Sequence, residues 1–310
     1  MTAASITSSK QANLVLDHIL HHLLCIYALG ATPLQMEKAF DQNAAYQLPS
    51  HYADSGHAQQ LADPAEFKKC LGYSKYFNDY FLFSRKEIET HGIPTTVNTS
   101  NFGENERAMD MFDRIFQGYA LVYKQPFLVA EALASTAVQF PELRYFLPPT
   151  DRVAPSTASA SQVEMHDQIR TNAIIHNAMH YDYIDKIHDG LIGEAGDQLL
   201  SVISQWKVSA DEVEVKAAEL FNACGIMKYT TQLWPRDQIS RFRFDFMPMY
   251  TVTTATFFPV YLKTDWIKPG SKTCLVEWLG RANVLLCAEC GAPEPRPEDF
   301  KTCKLFRPSG

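Results

Sequence analysis

Three histidines stand together in Asp17-His18-Ile19-Leu20-His21-His22. On a helix, residues three and four apart share a face, so His18 lies over both His21 and His22. Two imidazoles so placed can grip one side of a metal ion or form a base with an orienting partner. A histidine on an apolar helix can equally well do no more than satisfy a buried hydrogen bond. A second pair, His176 and His180, is again four apart, with His188 two turns on. Asn177, Tyr181, Asp182, Asp185 and Lys186 surround that pair, which fits a half-exposed helix rather than a ligand set. Cys287 and Cys290 form a C-x-x-C pair flanked by Cys274 and Cys303, and four thiolates can hold zinc. Cys274 and Cys287 fall in apolar runs that read as a packed helix, however, and no second C-x-x-C knuckle is present.

Aromatic side chains recur at Tyr73–Phe83, at Phe112, Phe116, Tyr119 and Tyr123, and from Phe242 to Tyr250. Most such spacing is core, but apolar walls with a few polar groups are also how proteins enclose small molecules. Composition narrows the partners. Hydrophobic residues are 46% and charged residues 20%, a globular balance, and the net charge of −7 with no basic stripe disfavours nucleic acid. The first apolar run is interrupted by Asp17, His18, His21 and His22, so no membrane span is expected. The first eleven residues lack a basic lead into an apolar stretch, and the odd cysteine count suits buried thiols; a cytoplasmic location follows.

Helical periodicity dominates the elements that must position these groups. It predicts a helix over 11–29 stopped by Gly30, then Thr32 and Pro33 as cap and first residue of a helix to Tyr46. A polar loop over 49–64 precedes an aromatic-rich helix over 66–85, a second loop over 92–105, a helix over 106–123, and a restart at Pro126. The Pro-, Ser- and Thr-rich stretch 148–161 reads as a mobile loop. Helices follow over 162–189 and 196–206, then one opened by the capping box of Ser209 and Glu212 and running to Cys224. The run 244–262 leaves helix and strand open, and a last helix covers 272–288. The expectation is an all-α fold: a single large multi-helix domain over 1–310 with an internal apolar pocket.

Several stretches resemble the questin oxidase-like family of fungal secondary-metabolism enzymes. His18-Ile19-Leu20-His21-His22-Leu23-Leu24 with Tyr27-Ala28-Leu29-Gly30-Ala31-Thr32-Pro33 is similar to its histidine-rich helix and turn. Gly118–Tyr123 with Pro126 and Val129–Ala134 resembles its central motif, and Asp245-Phe246 with Met249, Val252 and Thr253 resembles a later block. Val276-Glu277-Trp278-Leu279-Gly280-Arg281, with Gly291 and Pro293, resembles the closing one. The resemblance implies a helical fold and oxidation or cleavage of aromatic polyketides, by Baeyer–Villiger-like chemistry or non-haem iron. Four positions depart from the pattern: Phe112 and Phe116 stand for histidines, Tyr250 for a histidine and Leu279 for a lysine.

Phenylalanine offers no lone pair to an ion, so the sequence is read as holding no metal and needing no cofactor. The expected function is metal-independent cyclisation or rearrangement of a large apolar polyketide or terpenoid, driven by confinement and orientation. His18, His22 and Tyr250 would polarise a carbonyl or move a proton, with Asp245 and Glu131 as orienting carboxylates. His21, Phe112, Phe116, Tyr119, Phe246, Met249 and Trp278 would line the pocket. The alternatives are an oxidase of the family's kind, with iron on His18, His22, His176 and His180 or without metal, and a non-catalytic carrier of a hydrophobic metabolite.

Overall fold

The computed structural model describes residues 18–45, 52–103, 111, 124–139, 159–179, 186–232 and 246–294; for His18, Leu20, His21, Leu24 and residues 229–232 and 246–250 only the backbone is considered. Every regular element among the described residues is helical, as the sequence predicts. The chain divides into two compact units, 1–142 and 143–310.

In the first unit, helix α1 (His18–Ala28) stops where Gly30 takes φ +85° and the Ala31 N–H donates to Ile26 O at 2.9 Å. Thr32 then caps α2 (Pro33–Ala44): its hydroxyl accepts from the Gln35 N–H, and the Gln35 side chain accepts from the Thr32 N–H. The region predicted as a polar loop contains α3 (Ser55–Gln60), because the Asp54 carboxylate accepts the N–H groups of Gly56 and His57 and starts a helix there. Asp63 does the same for α4 (Pro64–Cys70).

The helix predicted over 66–85 is in fact broken. It ends at Cys70, passes through a 3₁₀ turn at Ser74–Tyr76, and restarts as α5 (Phe77–Val97). Helix α5 also runs past its predicted stop: Gly92 takes φ 78°, Pro94 follows, and the helix bends there rather than ending. A π turn over Asn98–Phe102 closes it. Helix α6 (Pro126–Val138) packs along α5, and Ala130, Ala134 and Ala137 are fully buried between larger neighbours. Phe67 meets Tyr80 and Phe83 edge-on at 5.0 and 5.9 Å, and the Tyr80 hydroxyl donates to Phe67 O at 2.5 Å. The aromatic run around residue 80 therefore contributes mainly core.

In the second unit, Ser161 and Glu164 cap α7 (Gln162–Thr171) reciprocally. Residues 148–158 of the predicted mobile loop lie outside the described residues; Ala160, just after them, is buried and its N–H donates to Gln205 O. The helix predicted over 162–189 breaks at Asn172, whose side chain accepts the Ile174 and Ile175 N–H groups and starts α8 (Ala173–Asn177). A π turn (Lys186–Ile192) leads into α9 (Gly193–Ile203). The Ser209 hydroxyl donates to Glu212 at 2.7 Å ahead of α10 (Val213–Gln232), which continues beyond Cys224. The undecided run 244–262 forms α11 (Phe246–Ala255) and α12 (Phe258–Lys263), and α13 (Pro269–Glu289) closes the unit.

Helix α13 is the spine of this unit, and Trp206 is its largest fully buried partner. The indole N–H donates to Val276 O at 3.3 Å, while the ring lies against Gly280, where a Cβ would come within 2.1 Å of Trp206 Nε1. Glu277, one turn before Arg281, accepts both the Arg281 guanidinium and the Val208 N–H, so the chain after Trp206 is pinned to the same helix face. Gly280→Ala should cost about 3 kcal/mol, near the upper end of overpacking effects, as measured by urea unfolding. A cost under about 0.5 kcal/mol would contradict this packing.

Candidate functional site

Of the residues singled out from the sequence, His22 has the clearest surroundings. It is exposed on α1, and its Nδ1 lies 2.8 Å from Asn43 Nδ2, whose amide also donates to Ala39 O at 2.7 Å. With Nδ1 accepting, the neutral ring carries its proton on Nε2 and presents a donor to the surroundings. Glu131 is half-buried on α6 and Trp278 half-buried on α13. The backbones of His18 and His21 lie on α1, and those of Phe246, Met249 and Tyr250 on α11. Asp245, Phe112, Phe116, Tyr119 and His180 lie outside the described residues. His176 is exposed on α8 and His188 half-buried in the π turn; both belong to the second unit, whereas His18 and His22 belong to the first. The four-cysteine zinc arrangement is ruled out by distance. Cys274 and Cys287 lie on one continuous helix, about 20 Å apart along its axis, and burial pushes the Cys287 thiol up to about 12.

A cavity of about 550 Å³ in the second unit is lined by Gln168, Asn172, Asp197, Gln198 and Ser201. Its lining is mixed: α7 and α9 turn amide, hydroxyl and carboxylate groups towards it beside the apolar Val202.

A denser constellation lies in the first unit, at residues the sequence reading passed over. Asp79 on α5 is buried, and its two carboxylate oxygens are both engaged: Oδ1 accepts the Asp54 N–H at 2.7 Å and Oδ2 the His57 Nδ1–H at 2.7 Å. This fixes the imidazole with Nε2 turned towards α4. There Nε2 stands 3.5 Å from Cys70 Sγ and 3.7 Å from Glu66 Oε1, and Sγ stands 3.8 Å from the same oxygen. Tyr76 stacks against His57 with ring centroids 4.8 Å apart. Burial, followed by the negative charge of Glu66, pushes the Cys70 thiol up. The signals for this site were the four-residue spacing of Glu66 and Cys70 and the caps at Asp54 and Asp63.

The second unit holds a buried polar network instead. Asn283 on α13 donates to Gln162 Oε1 at 3.0 Å and lies 3.4 Å from His166 Nε2, and the Cys224 thiol donates to Asn283 Oδ1 at 3.3 Å. Gln162 in turn donates to Gly280 O at 3.1 Å. Its residues support one another and none reaches solvent, which suits a tie between α7, α10 and α13 more than a reaction centre.

A sequence profile described as questin oxidase-like matches residues 15–307. The chain belongs to the questin oxidase-like family. It is 30% identical to the oxidoreductase AflY of Aspergillus parasiticus over 91% of this chain and 59% of that protein. It is 29% identical to a questin oxidase of Aspergillus fumigatus over 92% of this chain and 67% of the relative. With the Baeyer–Villiger oxidase ptaJ of Pestalotiopsis fici it shares 30% identity over 90% of this chain and 65% of the relative. The chain thus spans about three fifths to two thirds of the length of these curated relatives.

These names overturn the expected cyclisation. The relatives it matches are named for oxidations, and the cyclase reading inferred a change of reaction class chiefly from the phenylalanines at 112 and 116. Of the histidines that the iron reading calls on, only His22 and His176 have described side chains: His22 Nδ1 already accepts from Asn43 and His176 is exposed on α8, so these two do not fit an ion's ligand set. No reaction step is derived through such an ion. No helix among the described residues is long and apolar enough to cross a membrane.

His166 supplies a test of the second unit's network. Burial depresses its pKa from 6.5 to about 4, and the facing Asn283 amide is a donor that a protonated Nε2 cannot accept. Between those two values the unfolded chain binds a proton that the folded chain refuses, so stability falls as pH drops through that window. Wild-type protein should lose about 2 kcal/mol more than His166→Gln between pH 7 and pH 5 in urea unfolding. Equal losses would show that the imidazole is not held neutral.

Proposed function

We propose that this chain is an oxidoreductase of fungal secondary metabolism that adds oxygen to a large apolar aromatic polyketide, in the manner of a Baeyer–Villiger oxidase. The observation that carries the reading is the family match over 15–307, joined to relatives whose names specify oxidation. In such an insertion one atom of dioxygen enters beside a carbonyl carbon. The other leaves as water, with two electrons and two protons drawn from an external reductant. The side chains' part is to bind and orient the substrate and to polarise its carbonyl.

Within this reading His22 is a proposed donor to that carbonyl, since its hydrogen bond from Asn43 places a proton on Nε2. His18, Tyr250, Asp245 and Glu131 are proposed to share the acid–base work. The aromatic residues Phe112, Phe116, Tyr119, Phe246 and Trp278, with His21 and Met249, are proposed as walls. The predominance of apolar groups in that set fits an apolar aromatic substrate.

The reading predicts the outcome of deleting the gene in its producing organism and comparing metabolites under ¹⁸O-labelled dioxygen. The compound that accumulates should lack one oxygen atom present in the compound that disappears, and the missing product should carry one label from dioxygen. An accumulated compound with the same elemental composition as the lost one would overturn the proposal.

A further inference from the structure

We propose that His57, Glu66 and Cys70 bind a divalent transition-metal ion, zinc being the ion their spacing fits, with Asp79 orienting the histidine and solvent completing the fourth position. The site does not rest on the oxidase reading. The three donor atoms lie within 4.8 Å of one another, at separations of 3.5, 3.7 and 3.8 Å. A tetrahedral zinc ion, with about 2.0 Å to nitrogen and oxygen and about 2.3 Å to sulfur, needs donor–donor edges of about 3.3–3.6 Å. The observed triangle is wider by only a few tenths of an ångström, so the ion's arrival requires no backbone movement.

The chemistry agrees with the geometry. Imidazole, thiolate and carboxylate together suit a borderline-soft cation, whereas an all-oxygen set would suit magnesium or calcium. The Asp79 carboxylate on His57 Nδ1 is the outer partner that metal-binding histidines regularly have, and it leaves the Nε2 lone pair facing the other two donors. Three protein ligands and one open position is the pattern of a reactive zinc site rather than a purely structural one. The open side is available, since the side chains of His57 and Glu66 are 16% and 26% exposed while Cys70 forms the floor.

Two other readings explain less. A tether between α3 and α5 accounts for the bond from His57 to Asp79 but not for Nε2 meeting a thiol and a carboxylate. A cysteine nucleophile with His57 as base needs an accessible, easily ionised thiol, yet Cys70 is 1% exposed and Glu66 beside it opposes the thiolate. A cation reverses that opposition by displacing the thiol proton. Lys69 holds both Glu66 oxygens at 3.0 and 3.1 Å in the metal-free arrangement, but it is solvent-exposed and free to swing away.

The test is titration of the chelator-treated full chain with cobalt(II) as a spectroscopic probe, followed by displacement with zinc(II). The expected result is a sulfur-to-cobalt charge-transfer band with the intense visible bands of a four-coordinate ion, saturating at one equivalent and erased by zinc. Cys70→Ser should abolish the charge-transfer band, and Cys25→Ser should leave it intact. Asp79→Asn should weaken zinc binding by about 10- to 100-fold. Should Cys70→Ser fail to fold, Glu66→Gln on the exposed rim keeps the test decisive: it should keep the charge-transfer band and weaken zinc binding at least about tenfold. No charge-transfer band in wild type, a band undiminished in Cys70→Ser, or unchanged affinity in Glu66→Gln would overturn the proposal.

Discussion

Asp79 is a carboxylate with almost no water around it, and the first unit is arranged to answer its need for donors. One oxygen takes a backbone N–H from Asp54, the other an imidazole N–H from His57. The segment that caps and begins α3 is thereby locked onto α5, although 22 residues separate the two side chains. Once His57 is fixed through Nδ1, the direction of Nε2 is no longer free. It meets α4 at the place where Glu66 and Cys70 share a face, and that convergence turns a structural tie into a donor cluster.

The second unit solves the same problem of buried polarity with different parts. Its spine, α13, carries the block Val276–Arg281, several members of which have separate tasks. Val276 offers a carbonyl to Trp206, Gly280 leaves room for the indole, and Glu277 gathers Arg281 and the Val208 N–H. Asn283, one turn on, joins Gln162, His166 and Cys224 into a closed network. The family resemblance in this block is therefore explained by packing around an indole and a buried ion pair. Leu279, which stands where the family pattern has a lysine, is buried in the same block.

Local chemistry was legible wherever one short-range interaction decides the outcome. The stop at Gly30 and the cap at Thr32 follow from hydrogen bonds within a few residues, and both are legible in the sequence. Asn172 and Gly92 are not, since an asparagine can cap or sit inside a helix, and a glycine can end a helix or bend it. Tertiary packing decides which. The reaction class is not legible for a related reason: donor atoms missing at a few positions do not set the reaction, whereas family membership rests on the whole chain. In sequence, His57, Glu66 and Cys70 are indistinguishable from ordinary exposed polar groups and a lone thiol; Asp79, distant in sequence, is what brings their orientation into register.

The central claim is that this convergence is a site and not merely a clasp. The most direct test is anomalous diffraction at the zinc absorption edge from crystals of the full chain grown with zinc. A single strong peak should lie about 2.0–2.3 Å from His57 Nε2, Glu66 Oε1 and Cys70 Sγ, with Asp79 still hydrogen-bonded to the far side of the ring. Absence of a peak there, or zinc found only at Cys274, Cys290 or His176, would contradict the account.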